Sequence, residues 1–284
     1  MARRPWDFDA SHELRARPGF ALSDFDRSAT PGFDGSSKQA ASLLADIGDA
    51  TSDLQERLYA EGRSGGTRSV LLVVQGLDTA GKGGIMRHVV GMVDPQGVTI
   101  RAFGVPTPQE REHHYLWRIR KALPAAGQIG VFDRSHYEDV LVVRVENLVP
   151  ESVWSARYDE INAFEAEVAA AGTTIVKVAL MVSRDEQYDR LSERLERPDK
   201  YWKYNPGDVD ARAQWDAYQE AYQAIFERTS TDVAPWHVIP ADEKWYTRLA
   251  VSQLVWQALE GLDLAWPPAD FDVEKEKARL AATR

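Results

Sequence analysis

The sequence of 284 residues contains no cysteine. This absence excludes disulfide bonds, zinc sites built on thiolates and catalysis by a thiol nucleophile. No unbroken apolar run approaches the ~20 residues that a membrane-spanning helix needs, and the first residues have no apolar core of the kind found in signal peptides. We therefore expect a cytoplasmic protein that does not associate with membranes.

Basic residues are scarcer than acidic ones, 34 against 44, and the formal net charge is −10. A chain with this charge is a poor general binder of nucleic acid or of anionic membranes. A polyanionic ligand would have to bind at a local cluster of basic side chains. The length fits one large α/β domain with flanking arms better than two full domains.

Short β-forming runs alternate with segments of helical periodicity along most of the chain. Strands are predicted over residues 69–75, 98–103, 128–132, 174–182 and 236–239. Helices are predicted over about 37–61, 83–93, 107–123, 152–171, 184–197, 209–228 and 243–259. This alternation predicts a parallel sheet with helices on both faces. We expect an N-terminal arm over 1–35, one domain over 36–262 and a proline-rich tail over 263–284.

Residues 76–82 have the sequence GLDTAGK, which matches the phosphate-binding pattern G-x-x-x-x-G-K between a predicted strand and a predicted helix. Backbone N–H groups of such a loop cradle phosphate oxygens, and Lys82 would neutralise the transferring phosphoryl group. Gly83 replaces the usual serine or threonine that binds Mg²⁺, so we expect Asp78 to hold the metal. A turn without a ligand is the alternative. The other candidate phosphate-binding residues here are Gly76, Thr79, Ala80, Gly81, Gly83 and Gly84.

A second candidate metal ligand, Asp133, ends the apolar run Ile129-Gly130-Val131-Phe132. Ligands of doubly wound sheets bind at the carboxyl ends of strands, so we expect Asp133 close to Asp78, where both acids could share Mg²⁺. Arg134 follows directly and has the geometry to bind a phosphate through two hydrogen bonds. The alternative is that Asp133 is an ordinary turn or capping residue.

A basic segment follows the fourth predicted strand, with Arg190, Arg194, Arg197, Lys200 and Lys203. The three arginines are spaced at i, i+4 and i+7, which places them on one helix face, and both lysines lie in a polar, aromatic loop. The pattern predicts a lid over residues 184–215 that closes on phosphates and excludes water. Glu193 and Glu196 are interspersed, so a solvated, salt-bridged helix is the alternative.

Three segments together resemble the polyphosphate kinase 2 family: residues 76–84 (GLDTAGKGG), 133–139 (DRSHYED) and 194–203 (RLERPDKYWK). The similarity extends over about residues 32–262. It implies a thymidylate-kinase-like P-loop core with a helical lid, and Mg²⁺-dependent phosphoryl transfer between inorganic polyphosphate and nucleoside mono- or diphosphates. It also implies that Asp78 and Asp133 carry the metal, that Lys82 and Arg134 bind phosphates, and that Arg194 belongs to the lid.

Glycine at position 83 is normal in that family, so the departure from the general pattern supports the resemblance. The segment His136-Tyr137-Glu138-Asp139 is similar to the subgroup that accepts both AMP and ADP, and Glu138 is counted among the binding residues. A homo-oligomer is implied as well, with a tetramer as the specific expectation. An ATP-dependent nucleotide kinase on the same core and a non-catalytic polyphosphate- or nucleotide-binding regulator are the alternatives.

Overall fold

The computed structural model describes residues 5–284, and residues 1–4 lie outside the description. Five parallel strands form one sheet: β1 (Ser69–Gly76), β2 (Val98–Ala102), β3 (Ile129–Asp133), β4 (Thr173–Met181) and β5 (Trp236–Pro240). Their order across the sheet is β2-β3-β1-β4-β5. Each predicted strand is confirmed, with ends that differ by one residue at most.

The helices lie before, between and after the strands. They are α1 (Ala10–Glu13), α2 (Ser37–Arg63), α3 (Lys82–His88), α4 (Pro108–Arg111), α5 (Leu116–Arg120), α6 (Val142–Val145), α7 (Glu151–Trp154), α8 (Arg157–Ala170), α9 (Arg184–Glu196), α10 (Gly207–Ala213), α11 (Trp215–Thr229), α12 (Lys244–Glu260) and α13 (Val273–Ala281). Short 3₁₀ helices occur at Leu22–Asp24, Val90–Met92, Pro95–Gly97, His136–Asp139 and Pro198–Lys203. No helix within residues 5–284 has the length and apolar character to cross a membrane.

The central strand β1 is buried along its whole length and supplies both hydrophobic cores. Val70, Leu72 and Val74 face the core formed with α2, α3 and α12, whereas Leu71 and Val73 face the core formed with α8 and α11. Successive side chains of a strand point to opposite faces, so an apolar run without alternation needs cover on both. The predicted α/β class, a parallel sheet with helices on both faces, is confirmed.

Several predicted helices are wrong in extent, because short breaks divide them. Residues 107–123 form α4 and α5, residues 152–171 form α7 and α8, and residues 209–228 form α10 and α11. The predicted helix over 83–93 ends at His88, and the predicted loop after α9 contains the 3₁₀ helix Pro198–Lys203. A break of one residue, as at Gln214, hardly changes the spacing of apolar positions, so periodicity cannot detect it.

The N-terminal segment is packed onto the sheet. Ala16 donates its backbone N–H to the carbonyl of Trp236 at 2.8 Å, and Val238 donates to the carbonyl of Leu14 at 2.8 Å, so the segment lies along β5. The C-terminal tail is not merely proline-rich, since it contains the exposed helix α13. The division into an arm, a domain and a tail stays a prediction.

Candidate active site

The phosphate loop joins β1 to α3 and has two positions that favour glycine. A Cβ on Gly76 would lie 2.9 Å from the carbonyl oxygen of Leu180, so glycine permits the close approach of β4. Gly81 has a φ of 118°, in the left-handed region. Thr79 also has a positive φ, 67°, and its hydroxyl is inaccessible to solvent without a hydrogen-bond partner within residues 5–284. An unpaired hydroxyl in a strained loop is the feature expected where a ligand oxygen binds.

Lys82 is the first residue of α3, and its side chain folds back across the loop. Its ammonium group donates to the carbonyl oxygens of Gly76 at 2.7 Å and Leu77 at 3.3 Å. Burial lowers the pKa of Lys82, and the charge of Arg134 lowers it further, against the opposing attraction of Asp78 and Asp133. Both candidate acids therefore lie close enough to Lys82 to influence its ionisation.

The strand order brings the second acid to the loop. Asp133 is the last residue of β3 and is in register with Val74 of β1, two residues before Gly76. The next residue, Arg134, has a φ of 63° and donates its backbone N–H to the Val74 carbonyl at 3.0 Å. This strained backbone directs the Arg134 guanidinium to Asp78, with Nη2 and Oδ1 2.9 Å apart.

The surroundings shift the pKa values of two acids of this site in opposite directions. Burial would raise the pKa of Asp78, but the positive charges of Lys82 and Arg134 outweigh it, so the pKa is lowered. Asp78 is therefore ionised at neutral pH, as a ligand of a hard cation must be. Glu138, in the 3₁₀ helix after β3, has a raised pKa because burial outweighs the attraction of Arg134 and Lys82.

Helix α9 is fixed to the phosphate loop by a buried arginine. Arg190 donates to the backbone carbonyls of Thr79 at 2.9 Å, Ala241 at 2.7 Å and Asp242 at 2.7 Å. Gln187 adds a hydrogen bond from its side-chain amide to the carbonyl of Asp78 at 3.2 Å. These contacts place the predicted lid helix beside the loop and assign Arg190 to its attachment.

The next two arginines of the segment predicted to form a lid have different surroundings. Arg194 donates to the Asp208 carboxylate at 3.1 Å and to the Lys203 carbonyl at 3.0 Å, and its charge helps to lower the pKa of Asp78. Burial and the nearby Asp78 raise the pKa of Asp208 to about 6. Arg197 is half exposed and hydrogen-bonded to Asp199 and Glu193. Arg194 thus lies beside the loop, whereas the hydrogen-bond partners of Arg197 are the nearby acids Glu193 and Asp199.

Two cavities flank the loop. The first, of about 260 Å³, is lined by Ala80, Gly81, Gly84, Ile85, Lys200, Lys203, Lys244, Thr247 and Arg248. The second, of about 300 Å³, is lined by Gly76, Leu77, Asp78, Arg134, Glu138, Leu141, Val142, Glu146, Asn205, Gly207, Asp208, Ala211, Tyr218 and Tyr222. One cavity is strongly basic, and the other combines carboxylates, one arginine and an apolar, aromatic wall.

Sequence reasoning missed several residues of these walls. Lys244 and Arg248 are four residues apart at the start of α12, so helical spacing already placed them on one face. Tyr218 and Tyr222 show the same spacing on α11, and Asp208 begins the last part of the lid. Each pattern is common on ordinary helices, and only the packing around the loop distinguishes these.

Comparison with known proteins agrees with this geometry. The family model of polyphosphate kinase 2 matches residues 36–265. The chain belongs to the polyphosphate kinase 2 family. It is 47% identical over 256 residues to an AMP/ADP-polyphosphate phosphotransferase of Meiothermus ruber, with 90% of this chain and 94% of that protein covered. It is 40% identical over 250 residues to an ADP-polyphosphate phosphotransferase of Rhodopseudomonas palustris, with 84% and 85% covered.

The crystal structure of a polyphosphate kinase 2 from Arthrobacter aurescens TC1 superposes with a TM-score of 0.96 at 50% identity, and the match covers 99% of this chain and 100% of that one. The predicted P-loop kinase fold is thereby confirmed, and the family membership makes this chain a phosphotransferase.

The residues present fit a metal ion only in part. Within residues 5–284 no group of three or more histidine or acidic side chains forms a complete metal site. Asp78 and Asp133 would supply two hard oxygen ligands, which fits a divalent cation that completes its shell with substrate phosphates and water. A Cβ on Gly83 would meet no atom within 4 Å, so packing does not account for the missing hydroxyl at this position.

Proposed function

We propose that this family member transfers the terminal phosphoryl group of inorganic polyphosphate to AMP or ADP, and catalyses the reverse reaction. The observation that carries the proposal is the phosphate loop between a basic cavity and an acidic, aromatic one. Two relatives at 40% identity or more are named as polyphosphate phosphotransferases of AMP/ADP or of ADP, which supports the same substrates here.

Polyphosphate is assigned to the basic cavity. Its wall carries four cationic side chains from two parts of the chain, Lys200 and Lys203 of the lid and Lys244 and Arg248 of α12. A linear polyanion offers a charge at every phosphate, so a row of separate cations suits it better than a single arginine. The overall charge of −10 makes this local concentration of basic groups more telling.

The nucleotide is assigned to the second cavity. Arg134 presents a guanidinium that can bind a phosphate through two hydrogen bonds, and Tyr218, Tyr222 and Leu141 provide an aromatic and apolar wall for the nucleoside. Glu138 and Asp208 lie in the same wall, where their carboxylates can accept hydrogen bonds from hydroxyl or amino groups.

The transfer needs little covalent help from the protein. An oxygen of the acceptor phosphate forms a bond to the terminal phosphorus of polyphosphate, the bridging P–O bond breaks, and the shortened chain keeps the bonding electrons. Lys82 and the loop N–H groups would bind the moving phosphoryl group, and Arg134 would orient the acceptor. Asp78 and Asp133 would hold Mg²⁺, which neutralises charge on both phosphates. An ionised acceptor needs no general base.

Arg194 would add positive charge above the loop during transfer, with the lid excluding water. Lys203 would bind polyphosphate directly. Lys200 is hydrogen-bonded to Glu193, and Arg197 to Glu193 and Asp199, so each would contribute only after exchanging its acidic partners for a phosphate. A cytoplasmic location is a proposal that rests on the composition and the lack of long apolar runs. A homo-oligomeric, tetrameric assembly is a proposal that rests on the family resemblance.

The test supplies polyphosphate, Mg²⁺ and either AMP or ADP, with no ATP, and follows the nucleotides by chromatography. We expect ADP and ATP to form, and a chelator to stop the reaction. Lys82→Met is the matched inactive control. Turnover of AMP only when ATP is added would favour the ATP-dependent nucleotide kinase, and ligand binding without turnover would favour the regulator.

A further inference from the structure

A buried ion pair lies in the core beneath the active site, and the proposed chemistry does not use it. Lys177 of β4 is 0% exposed and Glu165 of α8 is 1% exposed. The Lys177 ammonium donates to a Glu165 carboxylate oxygen at 2.6 Å, to the Tyr137 hydroxyl at 2.7 Å and to the Thr229 carbonyl at 2.8 Å. All three donor hydrogens of the lysine therefore have acceptors.

The other oxygen of Glu165 is bound to the segment that carries site residues. Its Oε1 accepts a hydrogen bond from the Tyr137 hydroxyl at 2.9 Å and is 3.2 Å from His136 Nε2. His136 and Tyr137 begin the 3₁₀ helix that follows Arg134 and contains Glu138. One carboxylate thus holds two consecutive side chains of this turn from below.

The turn needs such support because its backbone is strained at the start. Arg134 has a φ of 63°, a conformation that costs a non-glycine residue free energy and persists only where the surroundings impose it. The hydroxyl of Ser135 accepts the N–H of Tyr137 at 3.2 Å, and Arg157 donates to the Asp139 carbonyl at 3.0 Å, so other bonds restrain the backbone of the turn as well. The side chains of His136 and Tyr137 are fully buried, so their positions fix where Arg134 and Glu138 emerge.

An ion pair in a core is a weak source of stability, since two charges must be removed from water. The neighbours of Lys177 on the same strand face, Ile175 and Ala179, belong to the hydrophobic core. An apolar residue would pack there without this cost, so stability alone does not explain the pair.

We infer that Lys177 and Glu165 are positioning residues for phosphoryl transfer, which fix the turn over residues 134–139 so that Arg134 and Glu138 face the nucleotide. The inference rests on the proposed nucleotide site. Polyphosphate lies on the other side of the loop in that proposal, so loss of the pair should affect nucleotide turnover and leave polyphosphate binding nearly unchanged.

The test replaces both charges together, with Lys177→Met and Glu165→Leu in one protein, so that neither charge is left unpaired. We expect a folded protein with a melting temperature close to the parent, and kcat about tenfold or more lower, because small misplacements of catalytic groups are costly. The KM for polyphosphate should stay within about twofold of the parent. Retention of kcat within about twofold would overturn the inference.

Two further variants keep the test decisive. Tyr137→Phe removes one hydroxyl and keeps the ring, so it should fold even if the double variant does not, with kcat lowered about threefold; an unchanged kcat would overturn the inference. Gln253→Leu is the matched control, because this buried amide holds the Trp6 and Phe8 carbonyls at 3.1 and 2.9 Å, far from the turn. It should lower the melting temperature without lowering kcat, and an equal loss of kcat there would assign the pair to stability. Absence of transfer in the unsubstituted protein would instead refute the proposed function.

Discussion

The phosphate loop is the wall between the two cavities, with Gly76 to Asp78 lining one of them and Ala80 and Gly81 the other, and the cavities differ in almost everything else. The basic cavity is lined by four cationic side chains, and its lining within the described residues includes no carboxylate and no aromatic ring. The second cavity is lined by four carboxylates, from Asp78, Glu138, Glu146 and Asp208, together with the single cation Arg134 and two tyrosines. The reaction proposed between them joins two phosphates of similar chemistry.

This difference lets the protein distinguish two substrates that both react through a phosphate group. A polyphosphate chain has no base or sugar to recognise, so only charge can hold it, whereas a nucleotide needs one phosphate contact and a surface for the nucleoside. Substitutions at or beside the loop should therefore impair turnover of both substrates. Substitutions in an outer wall, meaning the lining of one cavity away from the loop, should impair the use of one substrate only. The predictions below test this rule in order of expected size.

The largest effect is expected at Asp133, which ends β3 beside the phosphate loop. Asp133→Asn keeps nearly the same side-chain volume but removes the charge of a proposed metal ligand. We expect kcat to fall on the order of a hundredfold or more with either nucleotide, because the electrostatic contact is made to the transferring group. Steady-state kinetics over a range of Mg²⁺ concentrations is the measurement. Asp159→Asn, at a surface acid of α8, is the control, and near-normal turnover of the Asp133 variant at saturating Mg²⁺ would remove Asp133 from the metal site.

A smaller effect on both substrates is expected from Arg194→Ala. Helical spacing alone predicts that Arg194 shares a helix face with Arg190 and Arg197 in a lid that closes on phosphates. Arg194 donates to the carbonyl of Lys203, which lines the basic cavity, and to Asp208, which lines the second, so it lies between the cavities. We therefore expect kcat to fall about tenfold whichever substrate is limiting. Arg184→Ala, at the exposed start of the same helix, should have little effect. A change confined to the KM for polyphosphate would return Arg194 to the basic cavity.

Local sequence patterns were enough to predict the sheet and the loop, whereas the metal-binding role of Asp78 and Asp133 stays a prediction. Four predicted runs correspond to the largely buried strands β1, β3, β4 and β5, because a strand covered on both faces needs an apolar run. The fifth, β2, is a mostly exposed strand at the edge of the sheet. The loop pattern lies on consecutive residues, and the parallel sheet brings Asp133 to it without further information. The helices were less predictable, since breaks such as the one at Gln214 leave the apolar spacing almost intact.

The outer walls could not be predicted from local patterns. Lys244 is more than 160 positions from Gly81 in the chain, yet the two residues line the same cavity. Such pairs depend on how α12 and the lid pack around the loop. Lys177 did leave a signal, because a lysine inside an apolar strand must find a buried partner, but nothing in the sequence identifies Glu165 as that partner.

A matched pair of substitutions, one in each outer wall, compares the cavities directly. Lys203→Ala should raise the KM for polyphosphate about three- to tenfold and leave that for the nucleotide within about twofold. The backbone carbonyl of Lys203 that accepts from Arg194 is retained in this variant. Tyr218→Leu should raise the KM for the nucleotide and leave that for polyphosphate nearly unchanged, because it removes an aromatic surface from the wall of the nucleotide cavity. Parallel changes in both KM values in either variant would mean that the cavities do not separate the substrates.

The smallest expected effect is a pH dependence confined to the basic cavity. Loss of solvent around the ammonium group lowers the pKa of Lys244, and repulsion from Arg190 lowers it further. A base with a lowered pKa loses its charge at a lower pH than a free lysine does, so Lys244 should stop attracting polyphosphate on the alkaline side. We expect the KM for polyphosphate to rise about two- to threefold between pH 7 and pH 10, with the nucleotide KM changing less.

Lys244→Arg keeps a cation at this position but removes its titration, since arginine stays protonated throughout the range. The KM for polyphosphate of this variant should therefore change less with pH than that of the parent, while Lys244→Met should show the high KM already at pH 7. The measurement is steady-state kinetics at constant ionic strength, because screening alone changes contacts between exposed charges. An identical alkaline rise in the Lys244→Arg protein would assign the titration to another group and leave Lys244 as a contact of fixed charge. If the nucleotide KM rises with pH in the parent but not in this variant, the charge of Lys244 affects nucleotide binding as well. The two cavities would then not bind their substrates independently.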